Sequence, residues 1–188
     1  MKKIWLAICC LLISWNANAL NIGGIHLQEQ MQVGGKLLQL NGAGIRTKWF
    51  FDVYVCGLYL PVKQTSAKSI INSGNENRVV LHMLRELTSQ KLYGAFKEAI
   101  ESSQTTDVLL AIQPQLNQME QIFESVELVK EGDIITLDFI PTSGTKITVN
   151  GTTRGTVPGA GFNRAILGIW LGDMPISDDL KAGMLGGE

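Results

Sequence analysis

The sequence predicts an α+β domain organised on an antiparallel sheet, and three observations carry that reading. Strand-like runs precede two amphipathic helical stretches. The last third changes to a two-residue alternation broken by an Asn-Gly turn, and further helical segments close the chain. No repeat and no Pro/Gly/Ser-rich linker divides it.

The first residues are set apart. Met1, Lys2 and Lys3 form a basic start, Ile4 to Trp15 is apolar except for Ser14, and Ala17-Asn18-Ala19 has the small-x-small form that signal peptidase needs. Residues 1–19 are therefore read as a signal peptide cleaved after Ala19, and residues 20–188 as one domain, periplasmic or secreted. The apolar stretch is shorter than the ~20 residues of a membrane-spanning helix, and no later segment reaches that length, so the domain is not expected to be integral to a membrane. Lys2 and Lys3 leave with the signal and no acid does, so the exported form is more acidic than the formal −1 of the whole chain. Without a basic run it suits neither nucleic acid nor electrostatic docking on anionic lipid.

Leu37 to Leu40 is a short apolar run entering Asn41-Gly42-Ala43-Gly44, a stretch predicted to turn or bulge. Trp49 to Leu60 reads as one long strand, apolar on both parities. Trp49, Phe51, Val53 and Val55 share one face, and Phe50, Tyr54, Cys56 and Leu58 the other, as in a strand covered on both sides. Thr65 or Ser66 caps a short helix ending near Gly74, and Arg78 to Leu84 is a further strand. Thr88 opens a helix with Leu92, Phe96, Ala99 and Ile100 on one face. The next helical seam carries Leu109, Ile112, Leu116, Met119, Phe123 and Val126, and is read as core packing; Pro114 must kink or restart it. Ile134 to Ile140 and Thr145 to Val149 alternate. Asn150-Gly151 is a hairpin turn, Thr152 to Val157 returns, Phe162 to Leu171 is helical, and Ser177 caps a last helix.

Common catalytic and metal constellations are absent from the sequence. His26 and His82 are isolated, and no Cys-x-x-Cys, His-x-x-x-His or carboxylate cluster has ligand spacing, so no metal and no cofactor is expected. There is no Gly-x-Ser-x-Gly elbow, and Gly42-Ala43-Gly44 and Gly159-Ala160-Gly161 are too short for a dinucleotide fingerprint. Cys9 and Cys10 leave with the signal. Cys56 is then alone in an apolar strand and is read as a buried, inert thiol. Arg46 stands out between a glycine-bearing stretch and a strand expected to be buried. Its guanidinium stays charged and must find an anion or several acceptors. Either it pairs with Asp52 or reaches solvent, or it closes an apolar cavity and meets a ligand's carboxylate or polarised oxygen.

Asn41-Gly42-Ala43-Gly44-Ile45-Arg46, followed by Phe50 to Leu60 with Gly57-Leu58-Tyr59-Leu60 at its end, resembles the signature stretch of the chalcone isomerase superfamily, in its exported bacterial branch. Gly155-Thr156-Val157-Pro158 and Phe162 to Gly172 resemble the end of that family's chain, so the likeness spans nearly all of residues 20–188. It implies an open-faced β-sandwich, a large antiparallel sheet backed by a layer of helices, with an apolar cleft. In the plant enzymes of the superfamily an arginine works with several hydroxyls and an asparagine. Arg46 matches the arginine, Tyr54 stands in the place of a threonine, Ala165 in that of the late hydroxyl, and Thr88 and Ala95 about where a tyrosine and an asparagine belong.

An arginine with a strand tyrosine is what the superfamily's fatty-acid-binding relatives use to hold a carboxylate. The resemblance thus implies a domain binding a fatty acid or similar amphipathic acid, with Arg46 as anion anchor, Tyr54 as auxiliary donor and Asp52 orienting the arginine. Phe50, Phe51, Leu92, Phe96 and Trp170 are the expected apolar lining. The alternative it leaves is an intramolecular lyase or isomerase on an unknown enone, with Arg46 as its catalytic residue. The third reading is an interaction module in which Arg46 is structural.

Overall fold

The computed structural model describes residues 19–187; the predicted signal peptide, apart from Ala19, lies outside the described residues. The chain opens with the hairpin β1 (Ala19–Ile22) and β2 (Ile25–Gln28), then β3 (Gln30–Val33), β4 (Lys36–Lys48) and β5 (Phe51–Leu60). Helix α1 (Ala67–Asn72), strand β6 (Asn77–Met83) and the short β7 (Leu87–Thr88) come next. Helices α2 (Ser89–Ser103), α3 (Thr106–Ala111) and α4 (Gln113–Glu124) precede β8 (Leu128–Val129), which pairs with β7. Strands β9 (Ile134–Ile140), β10 (Gly144–Val149) and β11 (Thr152–Val157) and helices α5 (Ala160–Leu171) and α6 (Asp178–Met184) complete it.

Seven strands form one antiparallel sheet in the order β11-β10-β9-β6-β5-β4-β3. This is the α+β class read from the sequence, with the helices layered on one face. Alternation in the strands makes both faces apolar. Tyr54, Cys56, Leu58, Val79, Leu81 and Leu137 meet the helices, and Val55, Tyr59 and Val80 form a second core with Leu27 and Leu38 under the β1–β2 hairpin. Tyr59 is a core residue whose hydroxyl donates to the Gln28 carbonyl at 2.9 Å. Cys56 is fully buried beside the Met184 sulfur at 3.7 Å, and burial pushes its thiol far above the ordinary range, so it is unreactive.

The helices start where hydroxyls can receive their first amides. Ser66 caps α1, Thr88 caps α2, Thr105 caps α3 and Ser177 caps α6, each contributing about 1 kcal/mol. Pro114 restarts the chain as the first turn of α4. At the far edge, Asn150 (φ 50°) and Gly151 (φ 78°) make the left-handed pair that joins β10 to β11.

Two expectations fail in β4 and β5. The stretch Asn41-Gly42-Ala43-Gly44 does not turn; it runs through the middle of the 13-residue strand β4. Its glycines serve the close approach of α6. A methyl group on Gly42 would lie 2.2 Å from the Gly183 carbonyl oxygen, and one on Gly44 would lie 2.8 Å from Leu180. Asn41 ties the same helix by donating to the Met184 carbonyl at 2.8 Å. We expect Gly42→Ala to destabilise the fold by about 1–3 kcal/mol, because backbone rather than a flexible side chain must yield; urea denaturation would measure it.

The second failure concerns Trp49 to Leu60, which is not one strand. Trp49 and Phe50 form a tight turn between β4 and β5, with Trp49 at φ 64°. The predicted face pattern fails there too. A bulge between Asp52 and Tyr54 leaves Val53 unpaired, so Val53 joins Tyr54 on the helix side. A left-handed conformation costs a residue with a Cβ roughly 1–2 kcal/mol. No local feature of a tryptophan offsets that cost.

Candidate functional site

A cavity of about 280 Å3 lies between the sheet and the helix layer, walled by strand residues such as Leu81 and Leu137 and by helix residues such as Leu92, Phe96, Met119 and Phe123. Its sheet wall is apolar because β6 and β9 present alternate aliphatic residues to the helices. Its helix wall comes from the one-face spacing of α2 and α4. Tyr93, Phe96 and Phe123 pack together there, with ring centroids 5.4–6.3 Å apart.

Its polar lining is Arg46, Lys48 and Tyr54 from the strands and Glu98 and Ser102 from α2. Arg46 and Lys48, two residues apart on β4, share the face that looks toward the helices and border the cavity. Arg46 stands directly opposite Tyr54 in the β4–β5 register. Its guanidinium is partly exposed and donates to the Thr47 carbonyl at 2.7 Å. Among the described residues no carboxylate lies within ion-pair distance of it.

Tyr54 is buried, and its oxygen accepts a hydrogen bond from the Trp170 indole at 3.1 Å. That bond leaves the phenolic proton available to a second partner. Burial pushes the phenol well above its ordinary pKa, with the neighbouring Cys56 adding to the shift, while Trp170 and Arg46 pull weakly the other way. Tyr54 therefore remains a neutral donor across the whole working range of pH. A cation and a neutral donor bordering a largely apolar chamber suit an anionic head on an apolar body.

The predicted site residues divide. Arg46, Tyr54, Leu92, Phe96 and Trp170 border the cavity together. Phe50 and Phe51 do not: they are 92% and 60% exposed, because the chain turns at Trp49-Phe50 instead of continuing as a strand. Asp52 does not orient Arg46. Beyond the bulge it pairs with Thr47, whose hydroxyl donates to its carboxylate at 2.6 Å. Ala165 is buried in α5 away from the cavity, Thr88 caps α2, and Ala95 lines the chamber.

Most of the lining was not anticipated, including Lys48, Val53, Glu98, Ser102, Met119 and Phe123. Lys48 could have been found by strand periodicity from Arg46, and Met119 and Phe123 were seen only as a packing seam. Val53 reaches the site through the bulge and left no sequence signal. Among the described residues no cluster of three or more ligating side chains could hold a metal, and no helix is long and apolar enough to cross a membrane.

Known proteins give the fold its context. A fatty-acid binding protein of Arabidopsis thaliana superposes with a TM-score of 0.71 at 16% identity, over 89% of this chain and 96% of that one. At that identity the likeness establishes the shared fold. No curated protein matches the sequence. The chalcone isomerase-like family matches over residues 19–186, nearly the whole of the described chain, and the protein belongs to that family.

Proposed function

We propose that this domain binds a fatty acid or a similar amphipathic acid, with its carboxylate at Arg46 and its chain between the sheet and helices α2 and α4. One observation carries the reading. A guanidinium with no carboxylate in ion-pair distance among the described residues sits in register with a buried phenolic donor, and both border a largely apolar cavity of about 280 Å3. An arginine fork that also meets a phenolic proton is a strong acceptor site for a carboxylate and a poor one for an uncharged lipid. The family and the fatty-acid-binding structural neighbour support the same reading.

The reading also holds that residues 1–19 are removed on export and that the acid is met outside the cytoplasm. Native mass spectrometry of protein isolated from its own cells tests both parts. The expected result is a polypeptide beginning at Leu20 that carries a single acidic lipid. Titration with a saturated fatty acid should saturate at one acid per protein. A protein that carries no acid as isolated and binds none in titration would refute the reading.

A further inference from the structure

The hairpin tip between β4 and β5 is unlike the rest of the surface. Trp49 is 84% exposed, Phe50 92% and Phe51 60%, three consecutive aromatic rings held out from the fold. Large aromatic side chains grouped in this way mark an interaction site, whereas single exposed apolar residues do not. The backbone points the same way. Trp49 occupies a left-handed turn position (φ 64°) where glycine or asparagine fits without strain. A local rule broken at an exposed position, with no packing to compensate, is characteristic of function.

The charges around the tip identify the partner. Lys48 precedes the aromatic run, and the Arg85 guanidinium sits 4.8 Å from the centre of the Phe51 ring. Asp52 is held by the Thr47 hydroxyl. Aromatic rings at the apex with cations behind them match the layering of a bilayer surface, where rings enter the boundary of headgroups and acyl chains and cations meet phosphates.

We propose that this tip docks the domain on a phospholipid bilayer, with Trp49 and Phe50 inserted and Lys48 and Arg85 at the phosphate level. Docking in this way turns the Arg46 side of the cavity toward the lipid. The docking rests on the hairpin alone; only its use, exchange of an amphipathic acid with the bilayer, rests on the binding reading above. Attachment is by insertion of rings and not by a dense basic patch, so raised salt weakens it only in part.

Co-sedimentation with vesicles of phosphatidylcholine and a minority of phosphatidylglycerol tests the proposal on protein isolated from its own cells. The variant Trp49→Asn/Phe50→Ser should bind at least about tenfold more weakly, equivalent to about 1.4 kcal/mol. It should fold as well as the wild type, since asparagine tolerates the left-handed turn. Brominated lipid should quench the wild type more than Trp49→Phe, which keeps an aromatic ring and most of the binding. Arg46→Ala should bind vesicles as the wild type does while losing the acid, which separates failure of docking from failure of ligand binding. Equal partition of the wild type and the double variant, or quenching that does not depend on Trp49, would overturn the proposal.

Discussion

Replacing Arg46 by alanine is expected to weaken the proposed fatty-acid binding by about 2–3 kcal/mol, or about thirty- to 150-fold in Kd. The loss is that of the proposed charge-assisted pair with Arg46, which borders the cavity together with Lys48. Stability should barely change, by about 0.5 kcal/mol or less, because the side chain is partly exposed and its hydrogen bond is to the adjoining Thr47 carbonyl. Isothermal titration and thermal denaturation of the same preparation read the two quantities separately. A large fall in melting temperature with no change in affinity would make Arg46 structural.

Arg46→Lys should fall between the two, since it keeps the charge and loses the planar fork. The pH dependence has a definite sign. Burial keeps Tyr54 protonated, so its donor does not switch off as pH rises. Affinity is lost as pH falls through the carboxyl range of the ligand, because the neutral acid no longer offers an anion to the guanidinium.

The second large effect lies on the opposite face of the sheet. Asp138 on β9 and Arg78 on β6 are cross-strand partners joined by two hydrogen bonds of 2.5 and 2.7 Å, with side chains 2% and 14% exposed. Asp138→Ala leaves the arginine buried with no carboxylate, which is expected to cost about 3–5 kcal/mol. Against the 5–15 kcal/mol of a typical domain that is a severe loss. The paired replacement Arg78→Met/Asp138→Leu removes both charges and should recover most of it. Urea denaturation of the two single variants and the double variant gives the coupling directly; a double variant no more stable than Asp138→Ala would contradict the account. The remaining folded Asp138→Ala protein should still bind the acid, because the sheet separates this pair from the cavity.

Much of the architecture was legible because it rests on local patterns. The seams of α2 and α4, the caps at Ser66, Thr88 and Ser177, the restart at Pro114 and the Asn150-Gly151 turn each depend on neighbours a few residues away. The N-terminal hairpins were equally local, and Gly23-Gly24 and Gly34-Gly35 carry left-handed turn signals that could have been read from the sequence.

What could not be read in that way depends on distant partners. Gly42 and Gly44 look like a turn until α6, some 140 residues later, lies against them. Trp49 conceals a turn because its side chain suits a strand while its backbone occupies a glycine-like region. Asp52 lost its expected partner to that turn and to the bulge at Val53.

The sequence by itself determined the α+β class and the helix starts at Ser66, Thr88, Pro114 and Ser177, and it singled out Arg46 as a candidate, since periodicity, capping and an unshieldable charge are properties of short stretches. Only the tertiary structure decided that Arg46 faces Tyr54, that Lys48 and Val53 join them, and that Phe50 and Phe51 point outward. A strand's register is set by the turn and bulge that precede it, and a single residue's shift carries every later side chain to the other face.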